Sequence, residues 1–351
     1  MHKLTQQYKS AIKKYEDYKR KAENLILELL IQNNLNYHKI ESRIKDISKL
    51  DEKIYRKDEK YSSLDEITDL VGVRVITYLE DDVDKVADII SKEFTLDHNN
   101  SIDKRMLDSD KFGYRSLHYV ISLTNERKNL TEYKRFKDIK IELQIRSILQ
   151  HAWAEIEHDI GYKSEQAIPT LFKRNFYRVA ALLETADIEF VNIKKGLQNY
   201  ETNIASSIER DPENVEINAT SLKSFILSNK DVKEIDEKIC EVSGCKLANH
   251  QNIDIENHVK RLLFLNIDTI KKLEEEIIEN KEKIINFASE WLKDKIPGSF
   301  DKGISLFYLC YVLAGKSKDV EFANYYYSNT IDEEPNTKIG EEIIETYKRI
   351  I

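Results

Sequence analysis

Two carboxylates sit where a buried strand has little use for them. Glu142 interrupts the apolar series Ile139, Ile141, Leu143 and Ile145, and Asp69 stands at the mouth of the β-branched run that continues through Val71, Val73, Val75 and Ile76. A carboxylate in such a place needs a cation or a part in a site, and two of them at two strand ends can hold one hard metal ion through oxygen. The plainer alternatives are an aspartate that caps a turn before its strand and a glutamate paired internally with Arg74 or Arg146. Between the two lies DKFGYRSLHYVISL, residues 110–123. Here Tyr114 follows Gly113, so a flat ring stands beside a residue that lets the backbone come close, as base stacking requires; a cross-strand aromatic would read the same way. Ser116 and His118 share the face of Tyr114 by strand alternation, as Gln144 and Arg146 share that of Glu142. In SRIKDISK, Arg43 and Lys45 stand two apart. They either grip phosphate or coat an exposed helix.

These groups need a framework, and the periodicity describes one. Two or three helices are expected up to about residue 57, followed by an α/β segment from about 62 to 163. Helical spacing returns after Pro169, where Leu171, Phe172, Phe176, Val179, Leu182, Leu183, Ala186 and Phe190 recur at threes and fours. Residues 199–221 are polar, hold few large apolar side chains and contain Pro212, which makes them the best linker candidate. The organisation expected is therefore a domain over 1–200, a linker over 201–221 and a helical domain over 222–351, the last built from helical runs at 221–244, 254–295 and 305–328. No motif in that last part suggests chemistry.

The composition limits the classes of function. The chain has 351 residues, 41% of them aliphatic or aromatic, enough for two domains with cores. No apolar run reaches transmembrane length, and the lysine-rich start lacks the hydrophobic stretch of a signal peptide, so a cytoplasmic protein with no membrane partner is expected. Cys240, Cys245 and Cys310 do not suggest a disulfide framework. Charge is uneven: residues 201–351 carry 29 acidic and 20 basic side chains, residues 1–200 carry 34 and 35. The less acidic part is the one with the candidate site, although its basic N-terminal residues equally suit a solvated helix face. Two zinc readings are set aside. His151, Glu155 and His158 lie on a helix whose Trp153, Ile156 and Ile160 form an ordinary packing stripe, and Cys240, Cys245 and His250 lack a short Cys-x-x-Cys knuckle and a fourth ligand.

Taken together, the motifs resemble the synthetase domain of the RelA/SpoT family, which makes the alarmone nucleotides pppGpp and ppGpp. The likeness rests on Asp-x-x-Gly-x-Arg from Asp69 to Arg74, on Gly113, Tyr114, Ser116 and His118, on Glu142, Gln144 and Arg146, and on the Trp153, Ala154, Glu157 and His158 helix that closes on Tyr162 and Lys163. It implies an α+β fold, a mixed, mostly antiparallel sheet flanked by helices in the nucleotidyltransferase-like manner, followed by an all-α C-terminal region. It also implies an ATP-dependent pyrophosphokinase acting on the 3′ hydroxyl of GDP or GTP. By similarity to the family, Asp69 and Glu142 are catalytic and hold Mg²⁺, and Glu142 orients or deprotonates the hydroxyl. Arg43 and Lys45 match the Arg-x-Lys element that precedes the first strand and contacts ATP, joined by Arg74, Lys104 and Arg105. Tyr114, Ser116, His118, Gln144 and Arg146 fall to the acceptor. Asp110 and Phe112 stand where guanosine-specific members carry lysine and asparagine, with Lys104, Arg105 and Lys111 as replacements for lost phosphate contacts. That departure keeps open a toxin-type acceptor, the 3′ end of tRNA or an adenine nucleotide, and a catalytically silent nucleotide-binding module is a third reading. The family's hydrolase activity is not expected, because about 60 residues precede the synthetase motifs. Self-association as a homo-oligomer is a further expectation.

Overall fold

The computed structural model describes residues 1–56, 61–103, 117–161, 170–248, 253–293, 298–331 and 338–351. They fall into two units, Met1–Lys195 and Gly196–Ile351.

The first unit begins with α1 (Lys3–Ser10) and α2 (Ile12–Gln32). Along α2, Tyr15, Tyr18, Ala22, Ile26, Leu29 and Leu30 are buried at helical spacing. The helix ends ahead of Asn34, whose φ of 52° permits the reversal into the first strand. That strand, β1 (Lys39–Ile44), precedes α3 (Ile47–Arg56) and β2 (Val71–Thr77). Next come α4 (Glu80–Glu93), β3 (Phe94–Leu96), β4 (Ile102–Asp103), β5 (Leu117–Leu123), the short α5 (Asn125–Asn129) and β6 (Ile141–Ser147). Two helices follow, α6 (Ile148–Gly161) and α7 (Thr170–Arg210). The strands form one sheet in the order β1-β2-β6-β5-β3, with β4 beside β5. Only β2 and β6 run parallel among these pairs; the others are antiparallel. The fold is thus the expected α+β class, a mixed and mostly antiparallel sheet with helices.

Strand alternation divides this sheet into an apolar face and a polar one. Val71, Val73, Val75, Leu117, Ile121, Ile141, Leu143 and Ile145 are all buried, in one core with Tyr18, Ile26, Val86 and Ile90 of α2 and α4. The other face carries two polar rungs set by register. Arg43, Gly72, Glu142 and Val120 make one, and Glu41, Arg74, Gln144 and His118 the next.

In the second unit α8 (Ala219–Ser228), α9 (Lys230–Ser243), β7 (Lys246–Leu247), α10 (Ile255–Phe264) and α11 (Ile270–Trp291) precede β8 (Ser299–Phe300), α12 (Ile304–Lys316), α13 (Val320–Thr330) and α14 (Ile339–Ile350). Four of these helices start where a short polar side chain accepts backbone N–H groups, at Asn218, Asn229, Thr269 and Asp319. The start of α12 is held from outside: Gly303, with φ of 87°, and Ser305 donate their N–H groups to the buried Asp236 at 2.7 and 2.8 Å.

Three expectations need correction. Lys39–Ile44 is an edge strand, so Arg43 does not lie on a helix ahead of the first strand; it is part of that strand. Residues 201–221 are not a linker, because α7 runs to Arg210 and Ile204, Ile208, Val215 and Ile217 belong to the second core. The helical run at 254–295 is broken between α10 and α11 at Asn266, whose φ is 61°.

Candidate active site

The polar rungs open on a cavity of about 450 Å³ lined by Glu41, Arg43, Gly72, Arg74, Glu142 and Gln144 from the three neighbouring strands, with Lys19 and Glu23 of α2 beside them. The Arg43 side chain lies over Gly72, 3.5 Å from where a Cβ would stand, which is ordinary contact distance. A second cavity, about 500 Å³, is lined by Glu80, Asp81, Asp84 and Asp103. Its lining sets four carboxylates against one lysine, Lys195, whereas the first cavity balances Lys19, Arg43 and Arg74 against Glu23, Glu41 and Glu142 and holds the motif residues, which makes the first the candidate site.

Within it the charges are organised by contact. Arg74 sits 3.0 Å from Glu155 of α6 and 3.6 Å from Glu41. Glu142 lies 3.7 Å from Nδ1 of His118, and neither Arg74 nor Arg146 takes it among the described residues, so the internal ion pair considered from sequence is absent there. Arg146 instead donates to Gln144 Oε1 at 2.8 Å and stands 3.3 Å from His118 Nε2. His118, Gln144, Arg146 and Glu142 therefore form one connected row. His151 is held below the ordinary histidine range, first by burial and then by the charge of Arg74, with Glu155 opposing.

Asp69 lies two residues ahead of β2 and outside the cavity lining. Its carboxylate is gripped by Lys45 at 2.6 Å and Lys53 of α3 at 2.8 Å. Burial works against its charge, but these two ammonium groups outweigh that and keep its pKa below the ordinary value. Lys45 is thus committed to Asp69, with its backbone carbonyl taken by the Tyr8 hydroxyl at 2.8 Å. Lys104, Arg105, Tyr114 and Ser116, with Asp110, Lys111 and Phe112, lie outside the described residues.

Sequence reasoning missed Lys53, Glu41, Lys19 and Glu23. For Lys53 a signal existed, since it flanks the buried Leu50 and Ile54 of an amphipathic helix close to the Arg-x-Lys element. Nothing in the sequence linked α2 to the site.

A mixed sheet with one apolar face and one face of paired cations, carboxylates and amides defines an α+β domain with a polar, pocketed face. Residues 42–167, within the first unit, match the region found in RelA / SpoT proteins. GTP pyrophosphokinase YjbM of Bacillus subtilis (strain 168) is 27% identical over 163 residues, 45% of this chain and 72% of that protein. GTP pyrophosphokinase YwaC of the same organism is 28% identical over 157 residues, 44% of this chain and 72% of its own length. Among solved structures, small alarmone synthetase 1 from Bacillus subtilis is 22% identical, with a TM-score of 0.46 over 55% of this chain and 98% of that one.

Proposed function

We propose that the chain transfers the β,γ-pyrophosphate of ATP to the 3′ hydroxyl of GDP or GTP, making ppGpp or pppGpp. The observation that carries this reading is the single cavity into which Arg43, Arg74, Glu142 and Gln144 converge from adjacent strands within the stretch that matches RelA / SpoT proteins. Its two relatives named as GTP pyrophosphokinases support the same chemistry.

In this reading Arg43 and Arg74 offset the charge of the triphosphate and hold it for in-line attack, where positioning and electrostatics supply most of the catalysis. The 3′ oxygen forms a bond to the β-phosphorus of ATP, the bond from that phosphorus to the α,β-bridging oxygen breaks, and AMP leaves with it. Glu142 receives the hydroxyl proton, since it lines the cavity with His118 beside it. Gln144 and Arg146, linked to each other, are placed to hold the acceptor, together with His118. Tyr114 and Ser116 for the acceptor, and Lys104 and Arg105 for ATP, remain assigned by their motif.

Mg²⁺ is proposed as the metal. Asp69 and Glu142 carry the hard carboxylate oxygen that Mg²⁺ takes, with phosphate and water in its remaining positions, and Asp69 would have to exchange Lys45 or Lys53 for the ion. Asp69 and Glu142 would hold the ion, which supplies charge neutralisation on the phosphates.

The test is incubation of the full chain with γ-labelled ATP and separate acceptors: GDP, GTP, adenine nucleotides and tRNA. Label on GDP or GTP is expected. Label confined to tRNA or to adenine nucleotides would replace the acceptor while keeping the chemistry, and ATP binding without transfer to any acceptor would leave a silent binding module.

A further inference from the structure

The rotation of α2 is set by its buried side chains Tyr15, Tyr18, Ala22 and Ile26. That leaves Lys19 and Glu23, one turn apart, on a shared flank of the helix. Glu23 accepts a hydrogen bond from the Ser42 hydroxyl, which fastens this flank to β1 beside Arg43. Lys19 and Glu23 consequently line the same cavity as Arg43, Arg74 and Glu142.

Most cations of this neighbourhood already have a partner. Arg74 has Glu41 and Glu155, Lys45 and Lys53 share Asp69, and Arg146 bonds to Gln144. Among the described residues, no carboxylate lies within ion-pair distance of Lys19 or Arg43. Other lysines of α2 are placed differently. Lys13 and Lys14 are exposed and do not line the cavity, and the Lys21 ammonium lies 5.3 Å from the centre of the Tyr133 ring. Lys19 is half-buried at the cavity wall, and no described carboxylate stands within ion-pair distance of it. An anion in the cavity would supply a counter-charge.

We propose that Lys19 of α2 is a phosphate-binding residue of this cavity, gripping the polyphosphate of the donor nucleotide together with Arg43. The proposal rests on the reading of the cavity as the ATP site. It makes the helix ahead of the RelA/SpoT region a working wall of the site and not merely a solvated face.

The experiment measures equilibrium binding of α,β-methylene-ATP and of inorganic tripolyphosphate to the full chain by calorimetry. The variants are Lys19→Met, Lys19→Arg and, as controls, Lys13→Met and Lys14→Met. Methionine keeps the apolar stem that packs along the helix, and thermal midpoints check that each variant folds. Lys19→Met is expected to weaken both ligands about tenfold, the loss typical of one charge-assisted phosphate contact, with Lys19→Arg close to wild type and the controls unchanged. If wild type binds both ligands and Lys19→Met binds them equally well, the proposal is overturned while the ATP-site reading stands. Weakened nucleotide with unchanged tripolyphosphate would also overturn it, because Lys19 would then read the nucleoside. Wild type that binds neither ligand removes the ATP-site reading and the role of Lys19 with it.

Discussion

At the scale of single residues, Asp69 carries more structural duty than a metal ligand needs. Its partners Lys45 and Lys53 are only 18% and 19% exposed, so removing the charge strands two ammonium groups that water reaches poorly. Asp69→Asn is therefore expected to abolish pyrophosphate transfer and also to lower stability by about 1–3 kcal/mol, read as turnover with Mg²⁺ and as a thermal midpoint. Retained turnover in a destabilised protein would assign Asp69 to the ion pairs alone. The sign of its pH dependence follows from the lowered pKa: the stabilisation is present above the unfolded value of about 3.9 and is lost as pH falls through the lower folded value. The two carboxylates were legible as anomalies in apolar runs. Their partners were not, since Lys53 and His118 reach them only through the folding of α3 and the register of β5 on β6.

At the scale of elements, alternation and apolar spacing worked where one face is fully buried and failed where neither is. Strands β2 and β6 were readable because every second residue enters the core. Strand β1 was not: Lys39, Glu41 and Arg43 leave it few apolar residues, and its place at the sheet edge buries neither face fully. In α7 the apolar row announced a helix but not its fate, for Phe172, Val179, Leu182 and Phe190 are exposed while Asp187 is buried against Ser147. Helix α10 offers a test of burial at this scale. His258 is 5% exposed, and burial, then the charge of Arg261, pushes its pKa down to about 4, with Asp254 opposing. The unfolded chain thus takes up a proton near pH 6.5 that the folded helix refuses until about 4. Stability is expected to be full above the upper value and to fall by about 3 kcal/mol as the pH drops through this window. Urea unfolding at a series of pH values checks this. His258→Gln should flatten that part of the profile, and an unchanged slope would place the proton uptake elsewhere.

At the scale of the whole molecule, the two units have separate cores, one running from Leu4 to Ile145 and the other from Ile204 to Tyr347. No helix among the described residues is long and apolar enough to cross a membrane. Phe287, fully buried in α11, is a lever on the second core only. Phe287→Ala is expected to cost that unit about 3–5 kcal/mol. Denaturant titration followed by circular dichroism should show part of the helical signal lost earlier, with α,β-methylene-ATP binding in the first unit retained. Loss of nucleotide binding in parallel would mean that the units fold as one.

What the amino-acid sequence determined by itself was local and chemical: helices and strands wherever one face repeats apolar residues, a RelA/SpoT-like set of motifs, and two carboxylates too costly to bury without purpose. What tertiary structure decided was company. Register placed Gly72 between Arg43 and Glu142, the burial of Tyr15 and Tyr18 turned Lys19 toward the cavity, and the docking of α3 gave Asp69 its second lysine. The physical reason is that periodicity reports burial, which a side chain's own type reveals, whereas pairing depends on distances between segments far apart in the chain, which no single segment encodes.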